Sequence, residues 1–96
     1  MVQASFRDYT IIFSRSAEKF LETLDMQTRQ RILEKIRELK TNNVNLDIKK
    51  LKSKYDLHRL RVGTFRVVYS IQHKQIVIYI VAIGHRKDIY QRLTFS

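Results

Sequence analysis

The sequence predicts an α+β domain, with two N-terminal helices packed on one face of a small antiparallel-dominated β-sheet. Three observations predict it. Residues 14–40 carry apolar side chains at helical spacing. Residues 56–83 carry them in alternation, and the gaps between the alternating runs are short enough for hairpins.

Residues 8–13, Asp-Tyr-Thr-Ile-Ile-Phe, form a short first strand by their β-branched and aromatic content. Ser14 and Ser16 are both candidate N-caps for a first helix, which places Phe20, Leu21 and Leu24 on one face. Asp25 is suited to cap a second helix running to about Lys40, with Ile32, Leu33, Ile36 and Leu39 as its apolar stripe. Its other face alternates in sign through Arg31, Glu34, Lys35 and Glu38, a pattern of solvated local pairs. Thr41-Asn42-Asn43 ends it. The segment 44–55 reads as a basic loop in which Lys49, Lys50, Lys52 and Lys54 flank Leu51 and Tyr55. Runs 56–62, 65–72 and 75–83 then make a strand meander, with Gly63-Thr64 and His73-Lys74 at the turns. Glycine at the first turn position suits a type II′ hairpin.

Two-residue turns fix the registers. Arg61 faces Arg66, Leu60 faces Val67, and His58 faces Tyr69. In the next pair Val67 faces Ile80, Tyr69 faces Ile78, and Ile71 faces Ile76. Directly opposed residues share a sheet face. Leu60, Val62, Phe65, Val67, Tyr69, Ile71, Ile76, Ile78, Ile80 and Ala82 therefore point together toward the helices, and His58 packs beside Tyr69. Gly84 is expected to break the last strand.

A length of 96 residues implies one domain, 1–96. Hydrophobic residues at 44% against 29% charged exclude a disordered chain. The absence of cysteine excludes disulfides and thiolate zinc sites, and fits a cytoplasmic location. The N-terminal stretch has no apolar signal region, and no run approaches the ~20 apolar residues that span a bilayer, so no membrane role is expected. Charge is the strongest compositional signal. Of a net +10, residues 49–96 supply +9, from eleven basic and two acidic side chains. Such concentration implies a polyanionic partner, and nucleic acid leads the candidates.

The sheet face opposite the helices carries Arg59, Arg61, Arg66, Ser70, Gln72, Val77, Tyr79 and Val81. Directly opposed like charges such as Arg61 and Arg66 cost a hairpin roughly 0.2–1 kcal/mol. An anion lying over them reverses that sign through charge-assisted hydrogen bonds. Beyond the last strand, Arg86 and Lys87 border this face, and Tyr90 offers a ring to stack on a base or a proton to donate. Other chemistries find no support. Asp56 and Asp88 form no carboxylate cluster for Mg²⁺, and His58, His73 and His85 lack metal-ligand spacing. With no glycine-rich phosphate loop and no Ser–His–Asp pattern either, neither a metal nor a cofactor is expected.

Lys50-Leu51-Lys52, the run from Leu57 to Tyr69, and the run from Val81 to Tyr90 together resemble the RelE toxins of toxin–antitoxin systems. The likeness covers nearly the whole chain, and the order of elements agrees with that fold. The resemblance implies metal-free cleavage of mRNA in the ribosomal A site, by attack of a ribose 2′-OH on the adjacent phosphate. It implies that Arg66 and Arg86 hold the phosphate, that Arg59 fills a basic position on the strand before, and that Tyr90 orients the 2′-OH or stacks on a base. Arg61, Lys87, Lys49, Lys50, Lys52 and Lys54 are the expected RNA-binding cations. Some members place lysines on this strand that act as base, whereas here it reads Leu57-His58-Arg59. Arginine stays protonated. His85 is the leading titratable substitute, with Lys52 or Lys54 behind it. The resemblance also implies three partners: ribosome, mRNA and a cognate RelB-like antitoxin, acidic and partly disordered. Two rivals stand beside this reading. One is a gyrase-inhibiting toxin like the ParE proteins, which share the fold. The other is a non-catalytic nucleic-acid-binding module.

Overall fold

The computed structural model describes residues 6–41, 45–52, 56–85 and 89. Strand β1 (Thr10–Phe13) leads into helices α1 (Arg15–Glu22) and α2 (Met26–Arg37), the latter closed by a 3-10 turn at Glu38–Lys40. Four strands follow: β2 (Asp47–Lys50), β3 (Leu57–Val62), β4 (Phe65–Gln72) and β5 (Val77–His85). They join one sheet in the order β1-β5-β4-β3-β2, with β1 parallel to β5 and the other pairs antiparallel.

Of the two candidate caps for α1, Ser14 is the one used. Its backbone is extended, and its Oγ accepts from the Ala17 N–H at 3.0 Å while donating to the Val81 carbonyl at 2.7 Å. One hydroxyl thus starts the helix and fastens it to β5. Ser14→Ala should lower stability by about 1–2 kcal/mol, read from the midpoint of urea unfolding, because both bonds go at once. An unchanged midpoint would contradict that double role. Asp25 caps α2 by accepting from the Thr28 N–H at 3.2 Å, and hydrogen bonds from the Thr28 side chain and backbone hold its carboxyl below the usual range. Arg29 reaches back to the Leu21 and Leu24 carbonyls, both at 3.0 Å, and so satisfies the acceptors at the end of α1.

The helices cover one face of the sheet. Ala17, Leu21, Ile32, Ile36 and Leu39 pack there on Leu60, Val62, Val67, Tyr69, Ile78, Ile80 and Ile83. The β3–β4 hairpin has the expected register, with Arg61 opposite Arg66 and His58 opposite Tyr69. Its Gly63 has φ +61° while Thr64 does not enter the left-handed region, as a type II′ turn requires. His58 stacks on Tyr69 with ring centroids 5.3 Å apart, which is the packing role expected of it.

Three expectations need correction. The segment 44–55 is not all loop, because Asp47–Lys50 pairs with β3 as an edge strand. The β4–β5 connection takes four residues, 73–76, rather than two. Tyr69 therefore meets Ile80 rather than Ile78, and Ile76 leaves the core for a half-exposed turn position at φ 56°. A register shift between Val68 and Tyr69 then leaves Val81 as an extra residue, so that Val67 meets Ile83 rather than Ile80. That bulge turns Ile83 toward the helices and Ala82 away from them. Finally, Gly84 does not break β5 but lies within it, opposite Arg66.

Candidate nucleic-acid interface on the face away from the helices

Two rungs cross the sheet on the face that the helices leave free. Asp47, Arg61, Arg66 and Gly84 make one, and Lys49, Arg59, Val68 and Ala82 the other. Strand alternation puts all eight on this side. At the centre of the face Leu57, Val68 and Ala82 are buried against Ile89, which is itself fully buried. A Cβ added at Gly84 would lie 3.5 Å from the Ile89 Cβ, so Ile89 packs over this face at van der Waals distance.

Arg66 is the only buried charged residue among the described ones, at 7% exposure. Its Nη1 donates to the carbonyls of Gly63 and Phe65, both at 3.0 Å, which sets the guanidinium against the hairpin turn. Arg61 opposite it extends outward and is 55% exposed. Arg59 is held inward at 17% exposure by a 2.7 Å bond from its Nη2 to Asp47 Oδ1. The second carboxylate oxygen of Asp47 lies 3.8 Å from Arg61 Nη1. Arg59 Nε is buried and has no hydrogen-bond partner. Asp47 is the residue of this face that sequence reasoning missed. It relieves part of the repulsion between the arginines, and the face keeps a positive excess from Lys49, Arg59, Arg61 and Arg66.

The remaining expected site residues are dispersed. Lys50 lies on the other side of β2, 3.8 Å from Asp56, which is 3.3 Å from His58 Nε2. Lys52 is exposed just beyond β2. His85 pairs with Phe65, and its ring packs 5.0 Å from Phe65 and 5.8 Å from Phe20, so it leaves the sheet on the helix side while Arg66 leaves on the other. Lys54, Arg86, Lys87 and Tyr90 lie outside the described residues. Burial pushes the Tyr69 phenol up to about 12, so on the helix side it stays protonated at neutral pH.

Residues 11–90 match the family described as the ParE toxin of the type II toxin–antitoxin system parDE. Toxin RelE3 of Methanocaldococcus jannaschii is 32% identical over 84 residues, which cover 83% of this chain and 93% of that protein. The chain belongs to the RelE/ParE family of type II toxins. As a RelE/ParE toxin it also has close structural counterparts. The archaeal RelE–RelB complex from Pyrococcus horikoshii OT3 superposes with a TM-score of 0.69 at 31% identity, covering 82% of this chain and 96% of that one. The RelB–RelE antitoxin–toxin complex from Methanococcus jannaschii gives 0.68 at 29% identity, covering 85% and 98%. The resemblance drawn from the residues between Lys50 and Tyr90 is borne out at the level of the family. Among its described residues this RelE/ParE toxin has no helix long and apolar enough to cross a membrane.

Proposed function

We propose that this chain is the toxin of a type II toxin–antitoxin pair and acts as a metal-independent endoribonuclease on ribosome-bound mRNA. The observation that carries the reading is the Arg61–Arg66 rung, with Arg66 buried and pinned to the turn. Directly opposed cations repel across a hairpin, whereas a fixed guanidinium is suited to a phosphate that gains charge in the transition state. In the proposed reaction the ribose 2′-oxygen forms a bond to the adjacent phosphorus and loses its proton to a base. The bond from phosphorus to the 5′-oxygen breaks, and that oxygen takes up a proton. The products are a cyclic phosphate and a free 5′-OH.

Arg66 and Arg86 hold the phosphate in this scheme, with Arg59 on the neighbouring strand and Tyr90 at the 2′-OH or stacked on a base. Lys49, Lys50, Lys52, Lys54, Arg61 and Lys87 attract the RNA backbone. His85 and Arg66 leave opposite faces of the sheet, so Lys52 and Lys54 precede His85 as the base. The partner is a RelB-like acidic antitoxin, partly disordered when free, in keeping with the RelB complexes of the archaeal relatives. The working compartment is the cytoplasm.

A second reading has its own support, since the matched family is described as the ParE toxin. Under it the chain poisons gyrase and cuts no RNA. Programmed ribosomes and gyrase supercoiling, assayed side by side, separate the two. Cleaved mRNA with intact supercoiling is expected, and ribosome affinity should fall steeply with salt as counterions are released. Inhibited gyrase with intact mRNA would replace the first reading by the second. An affinity flat with salt would remove its electrostatic basis.

A further inference from the structure

Asp47 is a carboxylate set between two arginines. Its two oxygens face Arg59 Nη2 at 2.7 Å and Arg61 Nη1 at 3.8 Å, and it shares a rung with the Arg61–Arg66 pair. The carboxylate is half exposed, on the outer strand of the sheet, and so is free to swing into solvent. Arg59 is less at ease. Among the described residues its hydrogen-bond partner is Asp47, and its Nε is buried with no acceptor. A guanidinium engages an oxyanion best with two adjacent donors in a fork. Here the fork is split, with one prong on Asp47 and one on nothing.

We propose that Asp47 is an internal counter-anion that an RNA backbone must displace, and that it sets a threshold favouring polyanions over isolated phosphates. This rests on the proposal that the face binds RNA. With the carboxylate in place, Arg59 is engaged and Arg61 partly neutralised. An isolated phosphate competes with Asp47 for both and gains little. A strand with successive phosphates meets Lys49, Arg61 and Arg66 as well, and those contacts offset the loss of the ion pair. Once Asp47 is released, Arg59 can turn its fork to the backbone, and the unmet Nε gains an acceptor.

The test is binding of a short single-stranded RNA and of inorganic phosphate to the full chain, wild type against Asp47→Asn. Asparagine keeps a carbonyl oxygen for Arg59 Nη2 and removes only the charge. RNA affinity should rise on the order of threefold to tenfold at low salt, with the difference closing as added salt screens the carboxylate. Phosphate binding should become measurable in the variant alone. Asp47→Glu keeps the charge and should bind RNA as the wild type does, and it carries the comparison against Asp47→Ser if the asparagine variant does not fold. Arg61→Ala separates the two levels of the argument. If it binds RNA as tightly as the wild type, the interface itself is misplaced. If it weakens binding while the neutral variant binds no more tightly than the wild type, only the role of Asp47 is overturned.

Discussion

Arg66→Ala is expected to lower mRNA cleavage by at least about 100-fold, the usual scale for losing one preorganised donor to a developing oxyanion. It is also expected to lower stability. The sequence alone suggests that a side chain off the helix-covered core is dispensable to the fold, but Arg66 is buried and supplies a donor to two turn carbonyls. Removing it strands those acceptors, at about 1–3 kcal/mol. Two measurements therefore belong together, cleavage on programmed ribosomes and urea unfolding. Arg66→Lys separates them. It keeps a cation and one donor, so most of the stability should return, yet an ammonium lacks the planar fork and cleavage should stay low. Wild-type cleavage in a folded alanine or lysine variant would take Arg66 out of the site.

Ile89→Ala should give the next largest effect, by a different route. The side chain is fully buried over Leu57, Val68 and Ala82 and approaches Gly84. An Ile→Ala truncation in a rigid core costs about 2–5 kcal/mol. Here the cluster lies on the face away from the helices, apart from the main core, so local opening relieves the cavity more cheaply than global unfolding. Ile89 would then lose its seat on the basic face, and with it the anchor nearest in sequence to the proposed Arg86 and Tyr90. Cleavage should fall by about 100-fold, the scale of a catalytic group misplaced by an ångström. Amide exchange should quicken around residue 89 and stay slow in β3 and β4. Unimpaired cleavage despite faster exchange would mean that the segment beyond β5 contributes nothing to the reaction.

The sequence was legible where periodicity and turn chemistry agreed. The apolar stripe from Ile32 to Leu39 announced α2, and Gly63 fixed a two-residue turn from which the Arg61–Arg66 pairing followed. The register failed at β4–β5 because nothing marks a four-residue turn that ends on isoleucine. A β-branched residue at φ 56° runs against local preference, and here backbone hydrogen bonds to His73 and from Thr10 hold it. The bulge at Val81 is equally silent in the sequence, since Val81, Ala82 and Ile83 are all apolar. Strand β2 escaped notice because all four of its residues are exposed, and an edge strand without a buried face shows no apolar alternation. Asp47 was missed for the same reason. Its position opposite Arg61 depends on a strand pairing that the lysine-rich segment does not advertise.

Strand β1 is hydrogen-bonded to β5, the last of the described strands. Thr10 pairs with Val77, and Phe13 with Ile80, while Ser14 ties the start of α1 to Val81. During synthesis the N-terminal half has nothing to dock on. The apolar stripes of α1 and α2 wait for strands still inside the ribosome, and β1 stays unpaired until β5 emerges. Pairings this distant in sequence form late, because chain closure must precede any gain from contact. A nascent chain therefore carries Arg59, Arg61 and Arg66 without the sheet that arrays them. For a protein proposed to attack translating ribosomes, this topology delays the weapon until β5 has emerged from the ribosome building it.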